Sequence, residues 1–149
     1  MKTKTSNVKW AALAAVVTAG AALAGMQLAC ATRQLMNTGV GVPAAEATIL
    51  ASEGENGNTD VNIRVEHLAL PWNVVPAATV FVVWFQPPGS AWQSVGALTV
   101  TDDLDGLLDT VTPHRRFLVM VTPEASAQVA QPTQAAVFTA SIDVDSTVL

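Results

Sequence analysis

Cysteine is almost absent from this chain: Cys30 is the only one among 149 residues. An intrachain disulfide is therefore excluded, and so is a cluster of thiolates around a metal. Histidine is nearly as scarce. His67 and His114 stand far apart, with no second His or Cys at ligand spacing, so the chain has no zinc motif. The Gly-x-Ser-x-Gly elbow, the Gly-rich phosphate loop and the His-Glu-x-x-His helix are missing as well. No catalytic residue, cofactor site or metal site is expected, and the chain reads as a non-enzyme. The remaining catalytic reading is a hydrolase whose site assembles only in space. For that reading, Ser90, Ser94 and Ser126 have no candidate base nearby in sequence.

Positive charge is the next shortage. Lysine stops at Lys9, and beyond residue 30 only Arg33, Arg64, Arg115 and Arg116 remain. Against 12 acidic residues they leave a net charge of 4 − 12 = −8. Such a surface repels polyanions, so nucleic acid is excluded as a partner and anionic lipid headgroups are not sought.

What is present begins with Lys2, Lys4 and Lys9, followed by an uncharged run of Ala, Val, Leu, Thr and Gly over residues 11–25. A basic start followed by a short apolar core is the layout of a secretory signal. As a helix, such a run spans roughly 22 Å, short of the about 30 Å of a hydrocarbon core. Met26, Gln27, Leu28 and the small Ala29 then lead into Cys30. This stretch resembles the bacterial lipobox, with Ala29 as the small residue before the cysteine and Gln27 where a leucine is usual. The resemblance implies a signal helix over residues 1–29, acylation at Cys30, and a lipid-anchored protein of the cell envelope facing the periplasm. Ala31 follows the cysteine where an aspartate is absent, which by the same resemblance favours the outer membrane over the inner. Two rivals remain: cleavage after Ala31, giving a secreted soluble domain, and an uncleaved anchor over residues 10–31.

Residues 30–45 lack clear periodicity and are read as a flexible tether. Residues 46–149 are read as one domain, large enough to bury a core without disulfides. Helical periodicity is missing there. Short Val-, Thr- and Phe-rich runs alternate with Gly, Pro, Asn and Asp clusters, the signature of an all-β chain. Strands are expected over residues 46–51, 60–68, 78–86, 93–101, 107–111, 116–122 and 135–142. The clearest is 60–68, where Val61, Ile63 and Val65 alternate with Asn62, Arg64 and Glu66. Asn56-Gly57, just before it, suits a tight turn with left-handed backbone. About seven strands in about 100 residues predict an immunoglobulin-like β-sandwich.

The strand over 78–86 is apolar on both faces: Val80, Val82 and Trp84 on one, Phe81, Val83 and Phe85 on the other. A central strand of a two-layer sandwich has only one core side. The strip Phe81, Val83 and Phe85 is therefore a candidate binding surface, to be covered by a loop or by a partner. Trp72 and Trp92, in or beside loops, complete that candidate surface. They also offer an alternative reading as a carbohydrate- or wall-binding platform. The cluster Asp102, Asp103, Asp105 and Gly106 lacks the first and last ligands of a calcium loop, with Thr101 and Thr112 at those places, and reads as a solvated turn.

Val83-Trp84, Gly96, Val121-Thr122 with Glu124, and Pro132-Thr133 together resemble the outer C-terminal domain of bacterial anti-sigma-K factors, over roughly residues 78–142. The resemblance implies a β-sandwich with a sensory or protein-binding role and an unidentified envelope protein as partner. The roughly ten residues before the apolar run are too few to hold a sigma factor, so direct sigma inhibition is not expected.

Overall fold

A computed structural model of the chain describes residues 31–145. The expected signal helix over residues 1–29 and the expected acylation site Cys30 lie outside the described residues.

The alternation noted above makes the strands of the first sheet. In β3 (Glu46–Glu53), Ala47, Ile49 and Ala51 point inward; in β4 (Thr59–Glu66), Thr59, Val61, Ile63 and Val65 do the same. The two pair as an antiparallel hairpin that sets Ile49 opposite Ile63. Its turn holds Asn56 and Gly57 at φ +62° and +75°, the left-handed backbone that Asn-Gly favours. On one side of this pair lies β1 (Ala31–Leu35). On the other lie β8 (Gly106–Thr112) and the two-residue β7 (Thr99–Val100), giving the order β1-β3-β4-β8-β7.

The second sheet has the order β2-β10-β9-β5-β6, from β2 (Asn37–Thr38), β10 (Phe138–Asp143), β9 (Arg116–Glu124), β5 (Val80–Gln86) and β6 (Gln93–Ala97). Every pairing in both sheets is antiparallel. The chain is an all-β sandwich. Strands β3 to β10 follow the immunoglobulin order, four in one sheet and four in the other. Strands β1 and β2 precede that framework and add one strand to each sheet.

The core is built from unequal halves. The second sheet contributes bulk: Phe81, Val83, Phe85, Phe117, Val119, Val121, Phe138 and Ile142. The first sheet answers with Ile49 and Ile63 at its centre and smaller groups around them, Ala47, Ala51, Val61 and Val65. Facing large against small lets the layers interdigitate at interior density. Phe85 and Phe117 stack at 4.5 Å between ring centres, tilted by 35°.

Three expectations are corrected here. Residues 31–45 are not a loose tether. They carry β1 and β2, register Ala31 opposite Ser52, and bury Met36, Val42 and Ala45 in the core. An edge strand with Thr32, Arg33 and Gln34 shows no apolar alternation, because its stability comes from backbone pairing. Residues 93–101 are not one strand: the chain leaves the second sheet after β6 and joins the first at β7. Leu98 is buried at the crossing, where its N–H donates to the Phe81 carbonyl at 2.9 Å. A bulge beside Val83 and Trp84 and Gly96 at φ +147° prepare that exit. Finally, Phe81, Val83 and Phe85 do not form an outer strip. They are 0%, 0% and 2% exposed and face the other sheet.

Candidate functional site

The face of β5 that points away from the core is the one with Val82 and Trp84, and it too is fully buried. On the same outer face, Thr122 stands opposite Val82 and Glu124 opposite Val80. These groups join in a chain of hydrogen bonds. The Trp84 Nε1–H donates to Thr122 Oγ1 at 2.9 Å, and the Thr122 hydroxyl donates to Glu124 Oε1 at 2.7 Å. The Thr133 backbone N–H donates to Oε1 at 2.9 Å, and the Thr133 hydroxyl donates to Oε2. Glu124 thus fastens the 125–136 loop against the outside of the second sheet. Burial alone would push the Glu124 carboxyl up. The hydroxyls of Thr133 and Thr122 and the backbone N–H groups of Thr133 and Gln134 outweigh it and hold its pKa below the usual value of 4.5. A buried carboxylate with both oxygens engaged by hydrogen bonds acts as a structural fastener.

Trp72, in α1 (Pro71–Val74), is 52% exposed and borders a groove of about 470 Å³ with Val80, Val100, Thr101, Asp102 and Leu104. Trp92 is half-buried and precedes β6, whose first residue pairs with Phe85. The two indoles therefore sit at opposite ends of β5, roughly 20 Å apart along seven residues. They do not combine into one platform.

The cluster of Asp102, Asp103 and Asp105 forms the β7–β8 turn, closed by the Thr101 N–H donating to the Asp105 carbonyl at 2.8 Å. Leu104 within it has φ +63°, and its carbonyl accepts from the Leu68 N–H at 2.8 Å. Among the described residues no three His, Cys, Asp or Glu side chains gather closely enough to hold a metal ion. His67 is an exposed bend at φ +55° after β4, and His114 is exposed in the β8–β9 turn.

At that turn Arg115 links the two sheets. Its guanidinium meets Glu53 of β3 at 2.6 Å and Asp145, just past β10, at 3.1 Å, while Arg116 meets Asp143 of β10 at 3.1 Å. Among the described residues neither Arg33 nor Arg64 forms an ion pair. Both lie on the exposed face of the first sheet, a surface that sequence reasoning passed over. Its signal in the sequence is the outward half of β4, Asn62, Arg64 and Glu66.

No family model, no curated protein and no solved structure matches this chain.

Proposed function

We propose that this chain is a non-enzymatic protein of the bacterial cell envelope, lipid-anchored through Cys30, whose β-sandwich is an interaction or sensory domain. The observation that carries this reading is the place of Cys30. It ends the basic and apolar leader and directly precedes Ala31, which is paired with Ser52 at the start of the described residues. Cleavage before Cys30 leaves every described strand intact, whereas cleavage after Ala31 removes a paired residue from β1. The resemblance to the anti-sigma-K outer domain supports the same reading. Four of the residues that carry it, Trp84, Thr122, Glu124 and Thr133, belong to the buried fastener, while Val83, Gly96, Val121 and Pro132 do not. The test is the mass of the mature N-terminus after expression of the full chain in a bacterial host, beside Cys30→Ser. A diacyl or triacyl adduct on Cys30 is expected. An unmodified N-terminus at Thr32, or an intact Met1 in the membrane, overturns the anchor.

A second reading rests on Trp72 alone. An exposed indole beside a groove that also carries Thr101 and Asp102 suits the apolar face and hydroxyls of a sugar ring. Tryptophan emission titrated with cell-wall glycans tests it: a shift lost in Trp72→Phe supports the module, and an unchanged spectrum disposes of it.

A further inference from the structure

We infer that the exposed face of the first sheet beside β1 lies on a bilayer of zwitterionic phospholipid, so that the sandwich rests on its side and the Trp72 groove is left clear of the membrane. This rests on the reading that residue 30 is held at a membrane, by acylation or by an uncleaved anchor.

The first argument is the length of chain available. Ala31 is already paired in the sheet opposite Ser52, so no spacer separates residue 30 from the folded domain. A group fixed in lipid at residue 30 holds the start of β1 within about 4 Å of that residue's own Cα. The domain cannot swing far from the surface. It must stand on the end where β1 begins or lie along the β1 side.

Charge decides between the two. The end beside Ala31 gathers Glu53, Glu55, Asp143 and Asp145 against Arg115 and Arg116, which are already engaged by those acids. The β1 side differs. Arg33 stands opposite Leu50, Leu35 opposite Thr48, and Thr48 opposite Arg64 in the next strand. Leu35 is 69% and Leu50 38% exposed. With Glu46 and Glu66 these side chains line a shallow concavity of about 400 Å³. Two arginines that form no ion pair among the described residues suit lipid phosphates, the two glutamates beyond them suit the ammonium of the same headgroup, and the leucines reach toward the acyl boundary. The four charged groups of this concavity sum to zero, and the further acids of the face, Asp60 and Asp109, lie outside it. That matches a zwitterionic surface and would gain nothing from an anionic one.

The experiment uses the chain from Cys30 onward, coupled through its only thiol to a maleimide lipid in phosphatidylcholine–phosphatidylethanolamine vesicles with brominated acyl chains. Coupling bypasses cellular acylation, so failure of this orientation and failure of the Cys30 reading are separable. One variant carries Leu35→Trp with Trp72→Phe and Trp92→Phe; the others keep only Trp72 or only Trp92, with buried Trp84 as internal reference. Leu35 is exposed, so the new indole does not disturb the core. An indole at position 35 should lose about half of its emission or more, and Trp72 should lose almost none. Adding Arg33→Glu and Arg64→Glu should restore the emission at position 35. Equal quenching at 35 and 72, strongest quenching at Trp92, or insensitivity to the arginine changes would each overturn the inference.

Discussion

Trp84 and Glu124 share one hydroxyl. Thr122 accepts the indole N–H at 2.9 Å and passes its own proton toward the carboxylate at 2.7 Å, so a core-sized aromatic on the outside of a sheet is satisfied through a charged group. Hydrogen bonds to a buried charge contribute about 1.5–3 kcal/mol each. Glu124→Ala leaves the Thr122 and Thr133 donors facing a void, and it should cost about 2–4 kcal/mol in urea unfolding. Thr133→Ala, which removes one donor and keeps the backbone N–H, should cost less.

The same group sets an acid limit. A carboxyl whose folded pKa lies below its unfolded value contributes stability that is fully present above the unfolded pKa and is lost as pH falls through the folded one. The window for Glu124 therefore opens near 4.5 and extends downward. Unfolding free energy measured from neutral pH into that range should fall for the native chain. Glu124→Gln should start lower and show a shallower slope. An identical slope in both would remove Glu124 from the account.

Two aromatic truncations should separate core from surface. Phe85 is packed on Phe117 inside the sandwich, so Phe85→Ala should cost about 3–5 kcal/mol. Trp72 is half in solvent, so Trp72→Ala should stay within about 0.5 kcal/mol of the native chain. Chemical denaturation of the two variants side by side is the measurement.

Gly39 admits no side chain. Its N–H donates to the Val137 carbonyl at 2.7 Å, and a Cβ built there would lie 2.3 Å from the Ala136 oxygen. Because that neighbour is backbone, Gly39→Ala must shift β2 off β10. A loss of about 1–3 kcal/mol is expected, with faster amide exchange at residues 37–39 and 136–138.

Truncation tests the added strands. A chain beginning at residue 46 keeps the eight-strand framework and loses Met36, Val42 and Ala45 from the core together with the β1–β3 pairing. Its thermal midpoint should fall well below that of a chain beginning at Cys30. Equal midpoints would restore residues 30–45 to the status of a tether.

The sequence was legible where burial is one-sided. Val61, Ile63 and Val65 announce β4, and Asn56-Gly57 announces its turn. It was ambiguous at β5, because Val82 and Trp84 are as apolar as Phe81, Val83 and Phe85. Periodicity marks two dry faces and cannot say which meets the other sheet. The deciding partners are distant: Thr122 and Glu124 on β9 and Thr133 beyond it. The crossing at Leu98 is invisible for a similar reason, since a strand that changes sheets keeps its composition. The surface of Arg33 and Arg64 needs the register of three strands before it exists at all.

The division of volume in the core has its own consequence. The phenylalanine-bearing sheet is full and the alanine-bearing sheet supplies the room, so the two layers should tolerate opposite errors. Enlarging Ala47 or Ala51 would force rings off their rotamers, whereas small changes on the aromatic side would open holes. A population of folded variants would then show shrinkage forbidden in one layer and growth forbidden in the other, with paired exchanges across the interface as the route by which this interior can be rewritten.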